Sequence, residues 1–136
     1  MLNQVSVFAE NKKGALHRLT SVLSKANINI YTMVSNDSAE FGIIRLIVTD
    51  PQKALEALQA AGYQCRLDQV VAIDMNDTPG SLDKILGDIE GANVNFSYLY
   101  ISYNREASTP VAIIKAKEPE IETFLKGKGY TLLDRF

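Results

Sequence analysis

Hydrophobic positions along the chain follow two periods, and each period predicts one kind of element. Short runs rich in β-branched residues at positions 5–8 and 71–73 are typical of strands. After each run, apolar residues recur every three or four positions, which is the spacing of one helix face. The chain is therefore predicted to alternate strands with amphipathic helices. The apolar helix positions are Leu16, Leu19, Val22, Leu23 and Ala26 after the first run, and Leu82, Ile85, Leu86 and Ile89 after the second.

The whole pattern is repeated at an offset of 66 residues. A repeat of this length is too long for a solenoid unit and long enough for a small domain. We therefore expect two domains, residues 1–68 and 69–136. The identical pairs that define the repeat are Val5 and Val71, Gly14 and Gly80, Leu16 and Leu82, Ala26 and Ala92, Asn27 and Asn93, and Asn29 and Asn95.

Helix ends are marked by residues with restricted or unusual backbone preferences. Thr78 is expected to cap the first helix of the second repeat, with Pro79 in its first turn. Asn27 and Asn93 are expected to end the first helices, because asparagine tolerates left-handed geometry. The second helices are predicted to open at a proline and to stop at a glycine. These residues are Pro51 and Gly62 in the first repeat, and Pro119 and Gly129 in the second.

Each repeat then reads strand, helix, strand, strand, helix, strand, with hairpins over residues 28–49 and 94–116. That order is the ferredoxin-like βαββαβ unit, an antiparallel sheet with both helices on one face. The predicted fold class is α+β, with two such units packed side by side. Residues 66–70 contain no glycine, proline or serine, so we expect a fixed link rather than a flexible one.

One layer of helices leaves the other face of each sheet open, and the sequence does not make that face uniformly polar. A solvated face normally alternates with apolar residues in a strand. We expect a homodimer to bury part of this open face; the alternative is a local irregularity in which tyrosines tolerate water. The clearest strand is apolar or aromatic on both sides, with Phe96, Tyr98 and Tyr100 on one and Leu99, Ile101 and Tyr103 on the other.

Charge and composition limit the classes of molecule that the protein is expected to bind. The 136 residues are 46% hydrophobic and 22% charged with a net charge of −2, as in an ordinary globular domain. Because basic residues do not cluster, we expect no binding to nucleic acid or to a membrane. Cys65 is the only cysteine, which excludes an internal disulfide and a cysteine-based zinc site. We expect no cofactor or metal, and a sequence without a hydrophobic leader or span predicts a cytoplasmic location.

The feature of each repeat that is suited to ligand binding is the loop that enters the first helix, together with an asparagine fifteen residues after the loop glycine. The glycines are Gly14 and Gly80, and the asparagines are Asn29 and Asn95. A glycine lets a ligand approach the free N–H groups of a helix N-terminus, which favour a carboxylate. An asparagine oxygen can accept from an ammonium group. The pattern suits a free amino acid, while simple helix capping by the polar loop residues remains the alternative.

The sequence resembles the ACT domain, a small regulatory module associated with enzymes of amino-acid metabolism. The resemblance rests on the βαββαβ order, on Asp-Thr-Pro-Gly-Ser-Leu at residues 77–82 and on Ala-Asn-Val-Asn-Phe at residues 92–96. It covers essentially the whole chain, once per repeat. ACT domains typically bind amino acids between two domains whose sheets continue into one eight-stranded sheet.

The resemblance implies two pseudo-symmetric ligand sites, each built from the loop of one domain and the asparagine of its neighbour. The first loop departs from the family pattern, because Lys13 stands in place of the usual proline. This difference predicts that the two sites are not equally occupied. The implied ligand-binding sets are Asn11 and Gly14 with Asn95, and Asp77 and Gly80 with Asn29.

The function predicted from these features is a non-catalytic sensor that binds a free amino acid, or a related small carboxylate, and regulates a metabolic enzyme or pathway. The alternative is a regulatory subunit that acts mainly by docking on an amino-acid biosynthetic enzyme. No catalytic residue is expected, since His17 lies outside the apolar stripe of its helix and Cys65 suits a small apolar strand position. Metal carriers and RNA-binding modules share the fold, but the chain has no Cys-x-x-Cys and no basic aromatic RNA-binding stretch.

Overall fold

The computed structural model of the protein describes residues 1–10, 12–36 and 41–136. Contacts divide the chain into two compact units. Residues Asn3–Asp68 form the N-terminal unit, and residues Gln69–Phe136 with Met1–Leu2 form the C-terminal unit. The elements in chain order are β1 (Leu2–Glu10), α1 (Ala15–Lys25), β2 (Ile30–Val34), β3 (Phe41–Val48), α2 (Pro51–Ala60), β4 (Cys65–Asp74), α3 (Ser81–Gly91), β5 (Phe96–Asn104), β6 (Thr109–Ala116), α4 (Glu120–Gly127) and β7 (Leu132–Leu133).

The N-terminal unit is an antiparallel sheet with α1 and α2 on one face. Strand β3 lies between β2 and β1, with Val5 opposite Leu46 and Val7 opposite Ile44. Alternate residues of these strands point toward the helices, so they meet the apolar stripes of α1 and α2. The resulting core consists of Val5, Val7, Ala9, Leu19, Leu23, Ile28, Ile44, Leu46, Val48, Ala54 and Leu58.

The C-terminal unit repeats this arrangement. Strand β6 lies between β5 and β4, with Val71 of β4 opposite Ile114, and β7 pairs with the other edge of β4. Helices α3 and α4 pack on one face and supply the apolar residues that close the core. The α+β class and the ferredoxin-like architecture predicted from the sequence are confirmed. This second core consists of Val71, Ile73, Ile85, Ile89, Ala112, Ile114, Ile121 and Leu125.

One strand belongs to both units. Strand β4 runs without interruption from Cys65 to Asp74, and the boundary between the units falls inside it, between Asp68 and Gln69. Residues 66–70, expected from the sequence to be a fixed link, are therefore part of a β-strand. Their sequence contains no residue that breaks an extended chain, so the strand can continue through the boundary.

Helix ends agree with the sequence where a residue's own backbone preference decides them. Asn27 and Asn93 follow the C-caps of α1 and α3 in left-handed geometry, with φ of 59° and 57°. Gly62 and Gly129 follow α2 and α4 with φ of 93° and 92°. Pro51 is the first residue of α2, as predicted.

The predicted start of α3 is wrong by two residues. The helix begins at Ser81 rather than at Pro79, and Gly80 is its N-cap with a φ of 89°. A residue in the left-handed region cannot lie inside a right-handed helix, so the helix has to begin after the glycine. Thr78 forms a turn instead: its carbonyl accepts from the Ser81 N–H at 3.3 Å, and the two hydroxyls lie 2.9 Å apart. Helix α4 likewise begins one residue later than predicted.

Much of the sheet face opposite the helices is buried within the single chain. Ile113, for example, is fully buried there, although it lies opposite Tyr100 on the aromatic strand β5. The exposed apolar residues Ile101 and Tyr103 lie on the other face, since Ile101 is opposite the core residue Ala112. This face therefore exposes less apolar surface to a homodimer than the sequence suggests. The other buried residues of this face are Gln4, Ser6, Ile47, Val70, Ala72 and Val111.

Candidate functional site

The first helix of each unit begins at an uncapped glycine. Gly14 precedes α1 and Gly80 precedes α3, both in left-handed geometry, and neither helix has a side-chain cap. Helix α2 differs, because the Asp50 carboxylate accepts from the Lys53 N–H at 3.1 Å. The second and third N–H groups of α1 and α3 have no hydrogen-bond acceptor among the described residues. Free N–H groups at a helix N-terminus are suited to an anionic oxygen.

In the N-terminal unit, a cavity of about 300 Å³ opens beside this free helix end. We call it the loop cavity. Gly14 and Lys12 line one side, and Ser35 and Asn36, which follow β2, line another. The remaining walls are largely apolar. Its volume lies at the small end of the range for ligand sites, which suits a small molecule. The other lining residues are Ala9, Glu10, Ala15, Leu16, His17, Gly42 and Ile44.

Asn29 lies in a different depression of the same unit. A shallow groove of about 570 Å³ follows the polar side of α1 and includes Asn29 together with His17. The backbone of Asn29 is fixed by Thr49, whose hydroxyl accepts from the Asn29 N–H at 3.2 Å. The side-chain amide of Asn29 is exposed and makes no hydrogen bond among the described residues, so it is available to a ligand. His17 borders both depressions.

Positive charge surrounds the start of α1. Lys12 pairs with Glu10 at 2.8 Å, and the helix has no acidic residue in its first turn. A hydrogen bond and the charge of Lys12, with a smaller contribution from Arg18, lower the pKa of the Glu10 carboxyl. The Arg18 guanidinium lies beside Gly14, 3.1 Å from where a Cβ would project at that glycine. A bound carboxylate would therefore meet free N–H groups and nearby cations.

The corresponding end of α3 is electrostatically different. Asp83 lies in its first turn, and the loop residue Asp77 is exposed, so two carboxylates are near the free N–H groups. A cavity of about 340 Å³ in the C-terminal unit is lined by Asn76 and Ser81, on either side of the stretch from Asp77 to Gly80. Asn95 is exposed, and its side chain makes no hydrogen bond among the described residues. This copy is less favourable for a carboxylate than the first.

The structure thus places the predicted residues of the N-terminal unit at two neighbouring depressions rather than in one. Gly14 lines the loop cavity, Asn29 lines the groove, and Asn11 lies outside the described residues. His17, which the sequence assigns only to a solvated helix surface, connects the two depressions. Its position one turn into α1, three residues after the glycine, was the signal in the sequence that could have pointed to the site.

Two ferredoxin-like units, each with a free helix end beside its first loop, define the class of protein: a pair of small α+β domains of one repeated architecture. A family model for the ACT domain pair matches residues 1–120, and the chain belongs to this family. The resemblance to the ACT domain noted in the sequence is thereby confirmed. A comparison with functionally curated protein sequences gave no significant match.

Solved structures share the fold. The chain is similar to the protein BT0572 from Bacteroides thetaiotaomicron, with 35% identity over 97% of this chain and 91% of that chain, at a TM-score of 0.89. It is also similar to the ligand-free regulatory subunit of aspartate kinase from Thermus thermophilus, with 16% identity, coverage of 93% and 90%, and a TM-score of 0.68. The chain is similar as well to the regulatory subunit of aspartate kinase from Thermus flavus, with 16% identity over 91% of this chain and 88% of that chain, at a TM-score of 0.66.

Within the described ranges, no group of three or more His, Cys, Asp or Glu side chains is arranged to hold a metal ion. None of the helices in those ranges is long and apolar enough to cross a membrane.

Proposed function

We propose that the protein is a non-catalytic sensor that binds a free amino acid, or a related small carboxylate, and thereby regulates a metabolic enzyme or pathway. Proteins described as regulatory subunits of aspartate kinase share its fold, which supports regulation by analogy. The proposal includes a cytoplasmic location. It also keeps the pairing implied by the family, in which the loop of each ACT domain acts with the asparagine of the other.

One observation carries the proposal most directly: both repeats leave the first helix uncapped, while α2 is capped by its own Asp50. Helix α4 also lacks a side-chain cap, but it follows Pro119 in right-handed geometry, whereas α1 and α3 combine the missing cap with a left-handed glycine that lets another acceptor approach. An amino-acid carboxylate supplies that acceptor. The amide oxygens of Asn29 and Asn95 would then accept from the ligand ammonium group.

The two loops are proposed to differ in affinity. The end of α1 has Arg18 and Lys12 nearby and no first-turn acid, whereas the end of α3 has Asp83 in its first turn. A negative side chain at a helix N-terminus competes with a ligand carboxylate for the same positive potential. We therefore expect the loop that contains Gly14 to bind the carboxylate more tightly than the loop that contains Gly80.

The test is a thermal-shift screen of the full chain against the twenty amino acids and several small keto acids. A ligand present at about 100 times its dissociation constant should add about 2.7 kcal/mol to the free energy of unfolding. For a chain of this length, that corresponds to a rise of about 10 °C in the melting temperature. Each hit is then measured by calorimetry with Asn11→Ala, Asn29→Ala, Asp77→Ala and Asn95→Ala.

The matched control is Gln52→Ala, which shortens an exposed polar side chain on α2, away from both loops. The proposal requires that at least one loop or asparagine variant weakens binding about tenfold, the loss typical of one hydrogen bond to a charged group, while the control does not. A hit of unchanged affinity in all four variants would place the ligand elsewhere and refute these sites.

A second candidate is a subunit that acts by docking on an amino-acid biosynthetic enzyme. The observation that favours it is β5, which pairs with β6 on one side and carries no charged residue. Uncharged edge strands readily pair with another chain. The alternative to docking on an enzyme is a homodimer formed through the sheet face opposite the helices. The half-buried Tyr98 and Tyr100 lie on that face.

The two candidates predict different results. Docking predicts no thermal shift with any amino acid and a stable complex with one purified biosynthetic enzyme, which Ile101→Lys should disrupt. A homodimer predicts a mass of two chains by light scattering at micromolar concentration. The sensor proposal predicts a ligand-dependent thermal shift in the purified chain without an enzyme.

A further inference from the structure

In each unit one cavity is built from the same positions of the repeat, and in the C-terminal unit it is the cavity already described beside Asn76 and Ser81. In the N-terminal unit it measures about 620 Å³ and is lined by Arg18, Tyr63 and the preceding Gly62. In the C-terminal unit it measures about 340 Å³ and is lined by Lys84 and Tyr130 at the equivalent positions. In both units a cation on the first helix thus lines the same cavity as a tyrosine that follows the second helix. We call these two spaces the tyrosine cavities.

In the C-terminal unit, the lysine and the tyrosine of the cavity share a carboxylate partner on α3, Asp88. The Tyr130 hydroxyl donates to Asp88, and Lys84 donates to the Tyr130 hydroxyl at 2.9 Å and to the Asp88 carboxylate at 3.4 Å. The hydrogen bond from Tyr130 and the charge of Lys84 lower the pKa of the Asp88 carboxyl. Tyrosine, cation and carboxylate therefore satisfy one another.

The tyrosine cavity of the N-terminal unit lacks this carboxylate. At the offset of 66, the position of Asp88 is occupied by Val22. Among the described residues, the Arg18 guanidinium makes no hydrogen bond or ion pair and the Tyr63 hydroxyl makes no hydrogen bond. The carboxylate on the cavity rim, Glu10, is already paired with Lys12 at 2.8 Å.

We propose that the tyrosine cavity of the N-terminal unit binds a small organic carboxylate between Arg18 and Tyr63, in the role that Asp88 has in the C-terminal unit. An arginine fork suits a carboxylate, and a phenol supplies a further donor to it. Phe8 and Ala15 line the same cavity and offer apolar surface to the body of the ligand. This site shares Arg18 with the carboxylate site proposed at the loop that contains Gly14, whereas Tyr63 lines the tyrosine cavity and not the loop cavity, so Tyr63→Phe distinguishes the two.

The test follows backbone amides by NMR while benzoate, a carboxylate with an apolar ring, is added to the full chain. Benzamide, which has the same shape without the charge, is the matched probe. We expect saturable benzoate shifts at Gly62, Tyr63 and Gln64, and a response to benzamide at least about tenfold weaker. Wild-type protein that gives no saturable benzoate shift at these amides would overturn the proposal.

Variants separate this site from its neighbours. Arg18→Gln and Tyr63→Phe should each weaken benzoate binding about tenfold, the effect of one lost hydrogen bond to a charged group. Arg18→Lys should retain part of the affinity. Unchanged benzoate binding in both Arg18→Gln and Tyr63→Phe would place the probe elsewhere and refute the site.

The strongest test changes the two equivalent positions of the repeat, Val22 and Asp88, in opposite directions. Val22→Asp should suppress benzoate binding, because the new carboxylate can pair with Arg18. Asp88→Asn should create benzoate binding at the amides that follow α4, because Lys84 loses its carboxylate partner while the isosteric change preserves the packing of this half-buried position. Val22 packs against the core, so Val22→Asp could prevent folding. In that case the test is whether Asp88→Asn gains benzoate binding, and no gain in binding would overturn the proposal.

Discussion

The same chemical change, glycine to alanine, should have opposite effects at two positions of the C-terminal unit. Gly80 has a φ of 89°, where an L side chain is strained by about 1–2 kcal/mol. Alanine also stiffens the unfolded chain, which offsets about 0.4–1 kcal/mol of that cost. Gly80→Ala should therefore lower the free energy of unfolding by about 1 kcal/mol, or the melting temperature by about 4 °C.

Gly87 is the matched control, because it lies inside α3 and a Cβ there would meet nothing within 4 Å. In a helix interior, alanine is favoured over glycine by about 0.5–1 kcal/mol. Gly87→Ala should stabilise the protein by that amount. The two variants should thus differ by about 2 kcal/mol in urea unfolding followed by circular dichroism. Equal stabilities would refute the left-handed assignment at Gly80.

The repeat adds a third variant to the series. A Cβ at Gly14, where φ is 79°, would lie 3.1 Å from the Arg18 guanidinium, whereas one at Gly80 would meet nothing. Because Arg18 is exposed and its charged end can move by a few tenths of an ångström, Gly14→Ala should cost about the same as Gly80→Ala. If Gly14→Ala lowers the free energy of unfolding by more than about 1 kcal/mol beyond the effect of Gly80→Ala, Arg18 is held rigidly, because a change of its rotamer alone would cost no more than that.

Three further predictions concern stability. Asp50→Ala should lower the melting temperature by about 4 °C through loss of the cap of α2, worth about 1 kcal/mol, whereas Asp50→Asn should keep it. Leu125→Ala should cost about 2–5 kcal/mol in urea unfolding because Leu125 is fully buried, whereas Leu16→Ala, with 39% of Leu16 exposed, should cost less than half as much. Because the folded state lowers the pKa of Asp88, its contribution is present above the unfolded pKa and is lost as the pH falls through the lower folded value. The stability advantage of the wild type over Tyr130→Phe should therefore be greatest at neutral pH, begin to decline at about pH 4 and be lost only in stronger acid; an advantage that stays unchanged in strong acid would contradict this.

Local backbone preferences were readable from the sequence, and most elements followed from them. Asn27 and Asn93 end their helices as predicted, since few other residues accept a left-handed φ. The start of α3 was misplaced because Thr78 and Pro79 are also good turn residues, and only the φ of Gly80 separates a turn from a first helical turn. The glycines of the candidate site were found by the repeat, whereas the role of His17 between two depressions required coordinates.

Burial was the property that local pattern could not decide. Alternation along β1 makes Gln4 and Ser6 polar positions that would normally face water. In the structure both are buried, because the Gln4 amide donates to the Ser6 hydroxyl at 2.9 Å and that hydroxyl donates to Asp68 at 2.7 Å. A buried polar group is tolerated when its hydrogen bonds are satisfied, and Asp68, 62 residues away, supplies that partner.

The sequence by itself determined the duplication, the two ferredoxin-like units, the helix ends at asparagine and glycine, and the ACT family. These depend on periodicity and on the preferences of single residues, which act over a few positions. The tertiary structure alone decided that Tyr130 meets Asp88 and Lys84, and that Tyr63 and Arg18 line one cavity. Such meetings join residues more than 40 positions apart, and a hydrogen bond between them depends on distances that no local pattern contains.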